Sequence, residues 1–128
     1  MKLRIKGNSA RLRLSQSEVS ELAAGGSVAD SIAFGPQAEE RLSYRIVVSD
    51  DVSAIAAKLS GSVITFFLPS NAAREWSASD EVSIEFAKAV GDGAELKVLI
   101  EKDFACLNPR RGEDEADMFP NPNAGAAC

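Results

Sequence analysis

Apolar and charged residues alternate from the second position of the chain. Leu3 and Ile5 are interleaved with Lys2, Arg4 and Lys6, the period of two of a half-buried strand. Gly7-Asn8-Ser9 is turn chemistry, and Leu12 and Leu14 then alternate with Arg11 and Arg13, so the spacing predicts a β-hairpin. Ser15 stands as a helix N-cap with Glu18 three residues later, the pattern of a capping box. Val19, Leu22 and Ala23 share one helical face, and Gly25-Gly26 ends the helix because glycine accepts the left-handed conformation. Strands are predicted near residues 28–34 and over residues 42–48. A second hairpin is predicted across residues 54–59 and 63–68. Pro69-Ser70 opens a second short helix, residues 71–77, which can bury Trp76. Val82, Ile84 and Phe86, then Leu96, Val98 and Ile100, alternate on either side of an Asp92-Gly93 turn.

The two halves carry the same pattern: strand, strand, helix, strand, strand. Gly7 and Gly61 sit 54 residues apart in the opening hairpins, and Ser15 and Ser70 sit 55 apart as the two expected caps. The expected fold is α+β and mainly antiparallel β. Two ββαββ halves with two short helices would form a strongly curved sheet or an eight-stranded barrel. Residues 1–107 would make one domain. Residues 108–128, acidic and containing Pro109, Pro120 and Pro122, would be an irregular tail packed on it. Such doubling resembles the triphosphate-tunnel (CYTH-like) barrels, which line a channel with charge. Those barrels open with alternating glutamates, whereas this chain has Lys2, Arg4 and Lys6 at that place. The resemblance therefore implies a barrel without the metal-binding acids of the first strand.

Composition narrows the function classes. With 128 residues, 45% hydrophobic and 26% charged, the chain is an ordinary globular one that can bury a core without metal or disulfides. A net charge of −5 argues against a nucleic-acid partner. No apolar run approaches the ~18 residues of a membrane span, and the first residues lack the apolar core of a secretory signal. A cytoplasmic protein with no membrane partner is expected. Cys106 and Cys128 are too few for a disulfide framework and are expected as thiols.

Charge distribution supplies the first candidate site. Residues 2–13 hold five of the fourteen basic residues and no acid, so this segment is +5 while the remainder sums to −10. A tight turn at Asn8-Ser9 would pair Lys6 with Arg11 and Arg4 with Arg13, placing all five cations on one face and Leu3, Ile5, Leu12 and Leu14 on the other. Like charges opposite one another repel unless something answers them. Three answers compete: water and salt, acids on adjacent strands (Glu85, Glu101 and Asp103), or a bound anion such as phosphate or polyphosphate held by Arg4, Lys6, Arg11 and Arg13.

The closing stretch supplies the second. The chain opens MKLRIKGNSARLRLSQSEV and closes VLIEKDFACLNPR with a later FPNP and a final Cys. On these residues it resembles a small family of uncharacterised bacterial proteins, a domain of unknown function, and the resemblance implies no activity. Cys106, Glu113, Asp114, Asp117 and Cys128 offer weak metal-ligand chemistry, without histidine and without a C-x-x-C pair. The alternative is that Phe104, Leu107, Met118 and Phe119 staple the tail to the fold while its acids stay in water. Histidine is absent, so Ser-His-Asp catalysis is excluded, and no cofactor motif is present. Three classes follow in order: a non-catalytic binding or interaction protein, with exposed strand edges offering a route to homo-oligomers; an anion-binding module; and a metal-dependent phosphate-ester hydrolase using Glu85, Glu101 and Asp103.

Overall fold

A computed structural model describes residues 1–104 and 117–120. The elements are β1 (Lys2–Lys6), β2 (Ser9–Leu14), α1 (Gln16–Ala23), β3 (Ser27–Ala33), a 3-10 turn (Ala38–Glu40), β4 (Arg41–Ser49), β5 (Ala56–Ser60), β6 (Val63–Pro69), α2 (Ser70–Ala78), β7 (Ser83–Gly91) and β8 (Ala94–Lys102).

Local chemistry accounts for their ends. The Ser15 N–H donates to Glu18 Oε1 at 2.9 Å, the return half of the capping box at the start of α1. At its other end the Gly26 N–H donates to Glu21 and the Gly25 N–H to Leu22, with Gly25 at φ +87°, a Schellman closure. Ser70 does not cap α2 as expected. It is the first helical residue after Pro69, and its hydroxyl donates to Asp50 Oδ1 instead.

The first hairpin turns at Gly7-Asn8, so Lys2 pairs with Arg13, Leu3 with Leu12 and Arg4 with Arg11. The expected Arg4–Arg13 and Lys6–Arg11 pairs are thus displaced. The first turn position needs positive φ, and Gly7 supplies it at +55° where Asn8 or Ser9 would be strained. The register differs by two, so each side chain keeps its expected face. Leu12 and Leu14 are buried as expected. Leu3 is half-buried and Ile5 is 60% exposed, because β1 lies at a sheet edge with no further strand to shield it.

The chain divides into two compact units. One comprises Lys2–Val19 and Glu81–Cys128; the other comprises Ser20–Asp80 with Met1. The first holds a four-stranded sheet ordered β1-β2-β8-β7, and the second one ordered β3-β4-β6-β5. Both are mixed: two antiparallel hairpins are joined by a parallel pair, β2 with β8 and β4 with β6. Neither sheet closes. Each half of the chain gives one hairpin to each sheet, which leaves β1, β7, β3 and β5 as outer strands, so the expected barrel does not form.

The halves nevertheless repeat in register. Ser9 is opposite Lys97 in one parallel pair and Val63 opposite Ser43 in the other; Val63 and Lys97 each follow their counterparts, Ser9 and Ser43, by 54 residues. Gly7 and Gly61 occupy equivalent turns with φ +55° and +57°. In the Ser20–Asp80 unit α2 packs on β4 and β6 with Ala73 and Trp76 buried. In the other unit Leu12, Leu14, Val98 and Ile100 form the buried face. Among the described residues no helix is long and apolar enough to cross a membrane.

Candidate functional site

Strand parity brings the basic residues together. Lys2, Arg4 and Lys6 on β1 share a face with Arg11 and Arg13 on β2, and the parallel register adds Lys97, Leu99 and Glu101 from β8. Glu85 on β7 pairs with Leu99 and joins the same face.

Part of this charge is answered within the sheet. Glu101 is 7% exposed and Asp103 4%. Glu101 Oε1 accepts from Arg11 Nε at 2.6 Å and lies 2.5 Å from Arg11 Nη2 and 3.0 Å from Arg13 Nε. Asp103 lies 3.4 Å from Arg13 Nη2 and 3.2 Å from Lys2 Nζ. Two carboxylates removed from water thus meet three cations, which offsets both their desolvation and the repulsion along the β1–β2 ladder. Of the three answers weighed for this face, adjacent acids meet Lys2, Arg11 and Arg13.

The side chains of Arg4 and Lys6 make no ion pair or hydrogen bond among the described residues. With Ser9 and Arg11 they border an open depression of about 260 Å³. A larger one of about 620 Å³ is lined by Arg11, Glu85, Lys97 and Leu99 together with Ala10, Phe86 and Val98, which have the opposite strand parity. Glu85 remains exposed there, without an ion pair among the described residues. This arrangement can hold an anion by charge and N–H donors. Its buried carboxylates are occupied by guanidinium and ammonium groups, which opposes a metal cation at the same place. Among the described residues no group of three or more Asp, Glu, Cys or His side chains is placed to hold a metal.

Cys106, Glu113, Asp114 and Cys128 lie outside the described residues. Asp117 is described, and it serves α1. Its carboxylate accepts from the Ser17 N–H at 3.2 Å and the Ser17 hydroxyl at 2.5 Å, while its carbonyl accepts from the Gln16 N–H. The hydrogen bond from the Ser17 hydroxyl, aided by Ser15, holds the Asp117 carboxyl below its ordinary value. The Gln16 side chain donates to the Met118 carbonyl, and the Phe119 N–H donates to the Asp103 carbonyl at 2.8 Å. Phe119 meets Phe104 edge-on at 5.6 Å between centroids, with Lys102 Nζ 5.7 Å from its ring. Residues 117–119 therefore touch the strand that carries the buried acids.

The opening and closing strands that build this face also lie within residues 1–123, which a family model matches. The chain belongs to DUF7009, a family of unknown function. No curated protein and no solved structure matches it. In this DUF7009 chain, sequence spacing points to Arg4, Lys6, Arg11 and Arg13 and to Glu85, Glu101 and Asp103 as their counter-charges; Glu101 and Asp103 pair with the basic residues, and Glu85 makes no ion pair among the described residues. Sequence spacing does not point to Ser9 or Lys97. Lys97 enters only through the parallel pairing of β2 with β8, which joins segments some ninety residues apart.

Proposed function

We propose that this chain is a non-catalytic binding protein whose basic face on β1 and β2 takes a phosphate-type anion. The observation that carries the reading is the division of labour on that face. Arg11 and Arg13 are fixed by buried acids, while Arg4 and Lys6 keep their charge free of any acid among the described residues beside an open depression. Arg11 also borders the depression, held by Glu101 through Nε and Nη2, and a fixed side chain loses little freedom on binding.

Tripolyphosphate tests it. At low salt it should raise the melting temperature of the intact protein, because a ligand that binds only the folded state shifts unfolding by mass action. Replacing Arg4→Gln and Lys6→Gln together should reduce that rise, and salt should weaken it. An unmoved melting curve at low salt sinks the reading. A second reading, strand addition along an outer edge, is favoured by the exposed Ile32 and Leu59 on the outer strands β3 and β5. Light scattering across a concentration series tests self-association by this route: a mass fixed at one chain excludes it.

A further inference from the structure

The 54-residue repeat of register places a second basic row in the Ser20–Asp80 unit. On the basic face of β1, β2 and β8, Arg4, Arg11 and Leu99 form one row across the strands. Their counterparts on β5, β6 and β4 are Lys58, Thr65 and Arg45, which also form one row. The next row differs. Arg13 and Glu101 correspond to Phe67 and Val47, so the second sheet keeps cations in the first row and has no carboxylate in the second.

The charge balance is therefore one-sided. Arg41, Arg45 and Lys58 share this face. The one acid in the four strands, Asp30, is in register with Tyr44 and so lies on the opposite face. Thr65, at the centre of the row, is 5% exposed. Its Oγ1 accepts from Arg45 Nε at 2.9 Å. That bond orients the guanidinium and leaves the threonine O–H proton without an acceptor among the described residues. Arg45 and Lys58 make no ion pair among the described residues. Together with Ser60, Val63, Thr65 and Phe67 they line an open depression of about 350 Å³.

We propose that Arg45, Lys58 and Thr65 form a second oxyanion site for a phosphate-type ligand, separate from the one on β1 and β2. β4 and β5 flank β6, so at ~4.8 Å between neighbouring strands the two cations start about 10 Å apart and reach a common anion by their long side chains. Thr65 donates its hydroxyl between them, and Arg45 brings its free terminal N–H groups as a fork. A carboxylate here would be a built-in competitor, as Glu101 is in the other sheet; its absence leaves this site open.

The test is a titration of the isotope-labelled full chain with inorganic phosphate and with tripolyphosphate at low salt, read as amide shifts by NMR. Saturable shifts at Lys58, Thr65 and Arg45 are expected, lost on replacing Arg45→Gln and Lys58→Gln together and retained when Arg4→Gln and Lys6→Gln are combined. Thr65→Ser should keep the affinity and Thr65→Val should lower it several-fold, with unshifted resonances elsewhere reporting an intact fold. Shifts confined to Arg4, Lys6 and their turn would overturn this second site and leave the first. No shift at Thr65 with either probe, or equal affinity in Thr65→Val, also overturns it, the latter because it marks a diffuse attraction to positive charge. Shifts at Thr65 alone, without any at Arg4, would support this site and remove the first.

Discussion

Arg13 faces Glu101 across the parallel pair of β2 and β8, Nε 3.0 Å from Oε1, while its other end lies 3.4 Å from Asp103. That relationship lets β1 and β2 set Lys2 opposite Arg13 and Arg4 opposite Arg11. A ladder of like charges is destabilising on its own. Here it stands because β8 and the residue that follows it bring two buried acids, Glu101 and Asp103, beside it.

Glu101→Gln should test this directly. The neutral side chain keeps the shape and an acceptor oxygen but removes the negative charge that Arg11 and Arg13 share. Breaking a fully buried pair costs ~3–5 kcal/mol, and both arginines keep some solvent, so a loss of about 2–3 kcal/mol in urea unfolding is expected. Tripolyphosphate should bind this variant more tightly, since Arg11 loses its counter-charge and Arg13 keeps only Asp103. Unchanged stability together with unchanged affinity would show that Glu101 does not govern the face.

The turn glycines should matter in both units. Gly7 and Gly61 hold φ +55° and +57°, and a Cβ at either place meets open space. The cost of Gly7→Ala or Gly61→Ala is therefore backbone strain alone, about 1–2 kcal/mol for an L residue in the left-handed region. Urea unfolding of each single variant measures it, and near-equal losses are expected because the two turns are equivalent. A loss in only one would contradict that equivalence.

Much of the strand pattern was legible because period-two alternation is a local property. The hairpin at Leu3 to Leu14, the capping box at Ser15 and the burial of Trp76 all follow from neighbours in sequence. The turn falls one residue earlier than Asn8-Ser9, because Gly7, Asn8 and Ser9 all suit turns and only the demand for positive φ selects Gly7. The pairing of β2 with β8 and β4 with β6 was not legible: period-two alternation shows that a strand exists and does not name its partner, whether 88 residues away as for Ser9 and Lys97 or 20 as for Ser43 and Val63. Closure was therefore expected where two open sheets form. The same gap hid the Arg45–Thr65–Lys58 row, although Lys58 stands 54 residues after Arg4 and the repeat itself could be seen.

Position at a sheet edge should separate two apolar residues of the first hairpin. Leu12 is fully buried and Ile5 largely exposed, though both lie on the apolar face. Leu12→Ala should cost about 2–5 kcal/mol by loss of burial and creation of a cavity. Ile5→Thr, which keeps the β-branched shape, should stay within ~0.5 kcal/mol. Urea unfolding of both variants checks the contrast, and a large loss at Ile5 would mean that the edge of β1 is covered in solution.

The contact between Asp117 and α1 should appear as a dependence of stability on pH. Its carboxylate accepts from the Ser17 N–H and hydroxyl at the positive end of the helix, where an anion is favoured. The Ser17 hydrogen bond, foremost, holds the folded-state value below the ordinary 3.8. A carboxyl depressed on folding contributes fully at pH values above its unfolded value. The contribution fades as pH falls through the lower folded value, where both states bind the proton. The melting temperature of the native chain should therefore exceed that of Asp117→Asn by a constant margin from about pH 5 upward, and the margin should shrink below about pH 4. Ser17→Ala should reduce the same margin, because it removes the bond chiefly responsible for the shift. A margin that persists unchanged to pH 2, or its absence at pH 7, would mean that this carboxylate does not anchor residues 117–120 to the helix.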